Sequence, residues 1–308
     1  MKAKHYYIGI DLGGTNFKFG LVSETGELAF SSTTPTPAQE GREAVLQQLK
    51  TAAQSCLSRA REAGMTPSGM GVASIGWINP AIGQVVYASD NIPGWTGTQV
   101  GLELQAATGL PVAVENDANA LAVAEKYFGV ARSEEDFICL TLGTGIGSGC
   151  YIRGRMHHGA HYLANELGHI QIESEGMACT CGKQGCLEVY ANASALIRYA
   201  AAGAFASAKE VIIAANAGNS TARSAIKTYA RYLAKGCASA IHLLDPSMLV
   251  FSGGLTQNNP VLLSDLQEEL ANQVLILDQR RLKIRFSELG YFGGVIGAAA
   301  VAVERLCA

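Results

Sequence analysis

Hydrophobic positions along the chain follow two different periodicities. Short apolar runs bounded by glycine or turn residues are typical of strands, and they occur at 6–11, 17–22, 28–33, 70–74, 110–115, 137–142, 247–251 and 283–286. Longer stretches with apolar residues three and four positions apart predict helices at 40–63, 100–108, 116–127, 187–202, 208–217, 221–244 and 295–306. Two runs of strands, each followed by helices, predict an α/β architecture.

The chain carries no proline-rich or serine-rich linker that would separate two independent units. We place a boundary at the strand-to-helix junction near 115–117, and we expect the last helix to return to the first domain. The predicted organisation is a small α/β domain of residues 1–117, completed by the helix 295–308, and a large α/β domain of residues 118–294.

Charge and hydropathy exclude several classes of partner. The 308 residues carry a net charge of only −3, and no long basic run offers a footprint for nucleic acid. The N-terminus lacks the apolar core of a signal peptide, which is about 7–15 residues long, and no apolar stretch reaches the roughly 18 residues of a membrane span, so we expect no membrane partner. Cysteines outside one cluster are scattered among apolar residues, which predicts a protein of the reducing cytoplasm.

The densest chemical signal lies in residues 166–188, where one imidazole and three thiols are close in sequence. The candidate ligands are His169, Cys179, Cys181 and Cys186. This set can close a tetrahedral zinc shell, and a closed shell of three thiolates and one imidazole usually builds structure because it leaves no open position. The alternative is reduced cysteines in a core, but clustered thiols among Gly and Lys are poor core material.

A glycine-rich turn follows the first predicted strand and contains candidate phosphate ligands: Asp11, Gly13, Gly14, Thr15 and Asn16. Glycines let backbone N–H groups form a nest for an anion, and Thr15 and Asn16 add side-chain donors. Asp11 is suited to orient a water bound to Mg²⁺. An ordinary tight hairpin turn explains the same residues.

Two further strands end in glycines, with candidate residues Gly143, Thr144, Gly145, Gly253 and Gly254. The alternating glycines of 143–149 do not match the dinucleotide fingerprint, and the chain has no P-loop motif. A glycine-softened hairpin is the plainer explanation of 143–149. Taken together, the three strand-ending loops predict a nucleotide held between two domains.

Polar residues also mark two other loops. Asp117 stands at a strand-to-helix junction, where it fits either a general base for phosphoryl transfer or a helix cap. Asn91 and Trp95 lie in one polar loop. Asn91 is suited to bind a polyol, whereas Trp95 fits equally a pocket wall or a structural anchor.

These segments together resemble the ROK family (repressors, open reading frames and kinases), and within it the glucokinase-type sugar kinases. The motifs that carry the resemblance are DLGGTN at 11–16, ENDANA at 115–120, LGTGIG at 142–147, ELGH at 166–169 and CxCGxxGCxE at 179–188. The resemblance implies a two-domain ribonuclease-H-like (actin-like ATPase) fold with a zinc-binding loop. It also implies transfer of the ATP γ-phosphoryl group, with Mg²⁺, to a hexose hydroxyl, most often the C6 hydroxyl of glucose.

The resemblance also assigns roles to residues. Asp117 becomes the general base, and His169 is shared between zinc and sugar. The implied sugar contacts are Gly76, Asn91, Asn116, Asp117, Glu166, His169 and Glu188. The implied ATP contacts are Asp11, Gly13, Gly14, Thr15, Asn16, Gly143, Thr144, Gly145, Gly253 and Gly254. Family members are often dimers or tetramers, so a homo-oligomer is expected.

Departures from the family pattern leave the hexose open. Tyr162, Leu163 and Asn165 stand where smaller residues or glycine are common, and Ser148 replaces a frequent glycine. Kinases of N-acetylmannosamine, N-acetylglucosamine or fructose are therefore alternatives to a glucokinase.

Two other classes of protein fit the sequence less well. A sugar-responsive regulator of this family would carry a helix-turn-helix before the first strand, and only about seven residues precede Ile8 here. Such a regulator would have to lack its DNA-binding domain. A zinc hydrolase would need an open coordination position, which three thiolates and one imidazole do not leave.

Overall fold

The computed structural model describes residues 5–89, 91–201 and 203–306. Its strands are β1 (Tyr6–Leu12), β2 (Asn16–Ser23), β3 (Leu28–Pro35), β4 (Pro67–Ser74), β5 (Trp77–Asn79), β6 (Gln84–Tyr87), β7 (Val112–Asn116), β8 (Phe137–Leu142), β9 (Ile146–Ile152), β10 (Arg155–Met156), β11 (Met248–Ser252) and β12 (Lys283–Phe286). Its α-helices are α1 (Arg42–Glu62), α2 (Val100–Thr108), α3 (Asp117–Tyr127), α4 (Leu187–Tyr190), α5 (Ala193–Tyr199), α6 (Ala208–Asn216), α7 (Ser220–Leu244), α8 (Pro260–Gln273), α9 (Leu277–Arg280) and α10 (Gly293–Leu306). Short 3₁₀ helices span Ala38–Glu40 and Leu167–His169.

The described residues form two compact units. The first contains residues up to Ser133, the segment His158–Ala164 and the residues from Glu288 on, and the second contains Glu134–His157 and Asn165–Ser287. The predicted domain limits differ from these units, because α3 and the segment His158–Ala164 group with the first one.

The first unit is built on a mixed sheet of order β3-β2-β1-β4-β7, in which β1, β4 and β7 are parallel. Leu12 pairs with Ser74, and Ser74 pairs with Asn116, so the three parallel strands end at one edge. Ligands of open α/β sheets bind outside the carboxyl ends of such strands. The turn at 13–16 and the start of α3 both follow this edge.

The C-terminal helix α10 lies directly on this sheet. A side chain at Gly9 or Gly71 would overlap the backbone of α10, so these glycines permit the contact. On another side of α10, a Cβ atom at Gly297 would come within 2.7 Å of the Ala120 carbonyl oxygen. Close packing of α3 on α10 explains why α3 groups with the first unit. Residues 307–308 of the predicted last helix lie outside the described residues.

The second unit repeats the same strand order with β10-β9-β8-β11-β12. The strands β8, β11 and β12 are parallel, and β9 and β10 continue antiparallel from β8. These two mixed sheets confirm the α/β class, and they are consistent with an actin-like ATPase fold. Within the described ranges, no α-helix combines the length and the apolar character of a transmembrane span.

Two local predictions need correction in the second unit. The segment 143–149 is more than a loop, because β9 begins at Ile146 and forms a hairpin with β8. The predicted helix 187–202 is divided into α4 and α5, since Asn192 adopts an extended backbone and its side chain caps α5. Ala202 lies outside the described residues.

Candidate functional site

The start of α3 separates two roles that the sequence left open for Asp117. Asn116 is the N-cap, and its Oδ1 accepts hydrogen bonds from the N–H groups of Ala118 at 2.9 Å and Asn119 at 3.1 Å. Asp117 is exposed at the first helical position, and its Oδ1 also accepts from Ala118 N–H at 2.9 Å. Because Asn116 performs the capping, Asp117 presents an accessible carboxylate at the positive end of the helix dipole.

The loop that follows β4 is tied to this junction. Asn116 Nδ2 donates to the Gly76 carbonyl oxygen at 3.0 Å. Gly76 has a φ of +92°, and a Cβ atom there would come within 2.6 Å of the Tyr87 carbonyl oxygen. Glycine is therefore required at this position. Two predicted sugar contacts, Gly76 and Asn116, are thus brought together.

The loop that contains Asn91 is fastened from within. Trp95 is only 1% exposed, and its indole Nε1 donates to the Ser74 hydroxyl at 3.2 Å. The buried, hydrogen-bonded indole makes Trp95 a structural anchor of this loop. Asn91 is exposed, in a turn of the same loop.

The turn between β1 and β2 is held by one threonine. Thr36 Oγ1 donates to the Gly13 carbonyl oxygen at 2.7 Å, and Thr36 N–H donates to the Thr15 carbonyl oxygen at 2.9 Å. Both bonds use carbonyl groups, and Gly14, Thr15 and Asn16 are exposed. The turn is therefore fixed by two hydrogen bonds to Thr36, while Gly14, Thr15 and Asn16 stay accessible to solvent.

Asp11 lies deeper than this turn. Burial raises the pKa of its carboxyl group, and the Lys18 ammonium, 4.0 Å away, opposes that effect. A Cβ atom at Gly294 would overlap the Asp11 carboxylate, so the carboxylate lies against the N-terminal turn of α10. This placement suits a group that orients a hydrated cation, since a helix N-terminus stabilises negative charge.

In the second unit, the turn 143–145 joins β8 to β9 and is bound to Glu188. Ile146 N–H donates to Glu188 Oε2 at 2.9 Å. A Cβ atom at Gly145 would come within 2.5 Å of the same oxygen. Gly143 accepts from Ala193 N–H at 2.8 Å, and Thr144 is exposed at the tip. The turn 143–145, a predicted phosphate loop, therefore fixes the position of Glu188, a predicted sugar ligand.

The turn after β11 lies beside the end of β8. Gly253 has a φ of +103°, and a side chain there would overlap the backbone of Leu142. Gly254 is exposed, with no atom within 4 Å of a Cβ built at that position. The two predicted phosphate loops of this unit are thus neighbours.

The segment around Glu166 is held by a buried hydroxyl. Ser148 is 3% exposed; its Oγ donates a short hydrogen bond to the Asn165 carbonyl oxygen and accepts from Leu167 N–H at 3.3 Å. These bonds bracket Glu166 on both sides. Asn165 has a φ of +72°, a left-handed conformation in which asparagine substitutes for glycine. Ser148 and Asn165, which both depart from the family pattern, are therefore compatible with a fixed backbone at Glu166.

The four predicted metal ligands form one cluster. One donor atom from each of His169, Cys179, Cys181 and Cys186 lies within 4.8 Å of all the others. Cys181 Sγ and Cys186 Sγ are 3.6 Å apart, and Cys179 Sγ is 3.7 Å from His169 Nδ1. A tetrahedron with zinc–sulfur bonds of about 2.3 Å separates its sulfurs by about 3.8 Å. The residues therefore fit a zinc ion.

His169 uses its two ring nitrogens on different sides. Nδ1 faces the thiol cluster, whereas Nε2 lies 4.0 Å from Glu166 Oε2. Cys186 immediately precedes α4, whose first turn contains Glu188. One predicted sugar contact of this unit, His169, therefore belongs to the cluster, and the other two lie close to cluster members. Glu166 lies beside His169, and Glu188 is two residues after Cys186.

The residues that support the Asn116–Asp117 junction were not predicted from the sequence. Glu115 is fully buried, and it binds His158 and Arg305. The one available signal was a charged residue inside an apolar strand, at Glu115. Its partners are 43 and 190 residues away along the chain, so no local pattern connects them.

This chain is similar to known proteins over nearly its whole length. The ROK family model matches residues 7–305. The glucokinase of Thermotoga maritima is 33% identical, with 97% of this chain and 98% of that protein aligned.

Solved structures are similar too. A ROK family glucokinase from Streptomyces griseus, in complex with glucose and AMPPNP, is 29% identical with a TM-score of 0.85, covering 97% of this chain and 99% of that one. A ROK family transcriptional regulator, a homologue of the E. coli MLC protein, is 26% identical with a TM-score of 0.86, covering 97% of this chain and 78% of that one. Together with the family match, these similarities show that the chain belongs to the ROK family.

Proposed function

We propose that this protein is an ATP-dependent hexose kinase that phosphorylates the C6 hydroxyl of glucose. The observation that carries the proposal is the likeness, over almost the full length of both chains, to glucokinases, one of them bound to glucose and AMPPNP. The accessible Asp117 carboxylate and the pinned glycine turns are the groups that this reaction needs.

Asp117 acts as the general base. Its carboxylate takes the proton from the sugar hydroxyl while that oxygen attacks the γ-phosphorus of ATP. A new P–O bond forms to the sugar, the bond to the β-phosphate oxygen breaks, and ADP leaves with the bonding electron pair. In the first unit, Gly76, Asn91 and Asn116 contribute hydrogen bonds that hold the sugar.

In the second unit, Glu166, His169 and Glu188 bind further sugar hydroxyls. A zinc ion held by His169, Cys179, Cys181 and Cys186 supplies rigidity to this segment and takes no part in bond making. Ligation at Nδ1 would fix the ring orientation of His169, leaving Nε2 to contact the sugar.

Phosphate recognition is assigned to backbone turns in each unit. In the first unit the turn 13–16 offers backbone and hydroxyl donors, and Asp11 is the group that would orient hydrated Mg²⁺. In the second unit the turns at 143–145 and 253–254 contribute the remaining ATP contacts. Magnesium delivered with ATP neutralises phosphate charge.

An ADP-release assay over a panel of sugars tests the proposal. We expect turnover with glucose to exceed turnover with fructose, N-acetylglucosamine and N-acetylmannosamine. The matched control is 6-deoxyglucose, which lacks the accepting hydroxyl and should bind without being phosphorylated. Equal turnover of glucose and 6-deoxyglucose would contradict transfer to C6, and a preferred N-acetylhexosamine would replace glucose as the substrate.

A second candidate function is a sugar-responsive regulator, favoured by the TM-score of 0.86 to a ROK transcriptional regulator. Such a protein would bind sugar without releasing ADP. Calorimetric glucose binding combined with absent turnover would select this function. Assembly into a homo-oligomer stays a prediction.

The contact between Gly145 and Glu188 allows a test of the sugar ligands alone. Gly145→Ala places a methyl group 2.5 Å from Glu188 Oε2, so the carboxylate must move. We expect glucose affinity, measured without nucleotide, to fall several-fold. A charge-assisted hydrogen bond contributes about 1.5–3 kcal/mol, and the displaced Glu188 carboxylate should lose part of that contribution to glucose binding. The matched control is Gly143→Ala, where a Cβ atom meets nothing within 4 Å. Unchanged affinity in Gly145→Ala would remove Glu188 from the sugar site.

A further inference from the structure

Directly behind the Asn116–Asp117 junction lies a fully buried carboxylate that the reaction does not use. Glu115 Oε1 accepts hydrogen bonds from Asn116 N–H at 2.9 Å and from Asn119 Nδ2 at 3.0 Å. Glu115 Oε2 accepts from His158 Nε2 at 2.8 Å and, through a short bond, from Arg305 Nη2. Four donors occupy the acceptor positions of an ionised carboxylate.

The surroundings keep Glu115 charged. Burial by itself would raise its pKa, but the hydrogen bond from His158 and the charge of Arg305 outweigh burial and hold the pKa below its usual range. An ionised carboxylate can only accept, so His158 Nε2 carries the hydrogen of this bond. Arg305 is fastened in turn, because its Nη1 donates to the Val114 carbonyl oxygen at 2.9 Å. We call Glu115, His158 and Arg305 the Glu115 clamp.

The Glu115 clamp joins segments that are far apart in sequence. Glu115 belongs to β7, Asn119 belongs to α3, and Arg305 belongs to α10. His158 begins the segment His158–Ala164, which groups with the first unit although the residues on both sides of it group with the second. That segment closes on itself, since Ala164 N–H donates to the His158 carbonyl oxygen at 3.3 Å.

One bond of the clamp acts on the residue that aims Asp117. Glu115 Oε1 holds Asn116 N–H, while the Asn116 side chain caps α3 and contacts Gly76. If one donor at Oε2 is lost, the carboxylate of Glu115 can tilt toward the remaining one, and its hydrogen bond to Asn116 N–H is weakened. A displacement of about 1 Å at a reacting group can cost roughly 10²-fold in rate.

From these contacts we infer that His158 and Arg305 are positioning residues for phosphoryl transfer, which act through Glu115 on the Asn116–Asp117 junction. This inference rests on the proposed role of Asp117 as the base. Neither residue needs to contact a substrate, and the clamp contributes preorganised geometry.

Two substitutions of His158 separate positioning from general stability. His158→Leu keeps the side-chain volume and removes the donor, whereas His158→Gln restores an N–H at a similar reach. We expect kcat of His158→Leu with glucose to fall by about tenfold or more, with the KM for ATP within about threefold of the parent value. His158→Gln should recover most of the lost kcat. Arg305→Gln, measured in the same assay, should show the same loss of kcat if His158→Leu does not fold.

The matched control is His157→Leu. His157 is exposed and contributes only backbone atoms to the hydrogen bonds among the described residues, so its kcat should equal that of the parent. A normal kcat in folded His158→Leu, or an equal loss in His158→Gln, would overturn the clamp. Asp117→Asn in the same assay distinguishes the two hypotheses. Full turnover of Asp117→Asn would contradict the role of Asp117 as the base. An inactive Asp117→Asn together with a normal His158→Leu would contradict only the positioning role of the clamp.

Discussion

Asp117→Asn is expected to lower kcat by at least roughly 10²-fold while leaving glucose affinity nearly unchanged. The amide has the size of the carboxylate and can still form hydrogen bonds, but it cannot accept the proton of the sugar hydroxyl. Initial rates of ADP release, combined with calorimetric glucose binding, measure both quantities. Near-normal turnover in folded Asp117→Asn would contradict the assignment of the base.

The structure indicates that this substitution changes the carboxylate without disrupting the start of α3. Asn116, and not Asp117, is the N-cap of α3, so the helix keeps its cap in the variant. Loss of one negative charge from the first turn costs about 0.3–1 kcal/mol. Asp278→Asn is a matched control, because Asp278 is also exposed in the first turn of a helix, α9. It should turn over glucose at the parent rate.

Cys181→Ser is expected to release zinc and to weaken glucose binding by roughly tenfold or more, as loss of groups that orient a site does. Without the metal, the His169 ring can rotate, and Glu188, two residues after Cys186, loses its fixed direction. The large core of the second unit does not include Cys181, which is exposed, so the rest of the chain should stay folded. Metal analysis of the purified protein and glucose titration test both effects.

Cys56→Ser is the control for this experiment. Cys56 lies in the core of the first unit, and burial raises the pKa of its thiol to about 12, so it stays protonated. Its replacement should leave zinc content and glucose affinity unchanged. In the parent protein, zinc affinity should fall as the pH is lowered, because protons compete for the thiolates and the imidazole. Fully active protein with almost no zinc would refute both the site and its structural role.

Most strands and helices followed from periodicity, and the failures have local causes. The helix α8 was not predicted, although Asn259 caps it and Pro260 occupies its first turn. The strand β9 was hidden because its glycine and serine residues, such as Gly147 and Ser148, carry little apolar signal. The predicted helix 187–202 overlooked the capping signal of Asn192.

The candidate site was predicted unevenly for a physical reason. Metal ligands of a short loop, such as Cys179 and Cys181, reveal themselves by spacing, because the loop itself closes the shell. Residues that support a site from behind follow no such rule. His158 and Arg305 meet Glu115 only because a loop segment and the last helix fold back onto β7.

The sequence by itself determined the α/β class, the thiol and imidazole set of the metal cluster, and the family, since each depends on local periodicity or on short motifs. Only the tertiary structure decided that Asn116 caps α3 while Asp117 stays accessible, that Glu188 accepts a hydrogen bond from Ile146 N–H, and that the ionised Glu115 is held by His158 and Arg305. The first feature depends on the local backbone geometry at the start of α3, and the other two depend on contacts between residues far apart in the chain. Such contacts form because burying a polar group requires a partner, wherever in the sequence that partner lies.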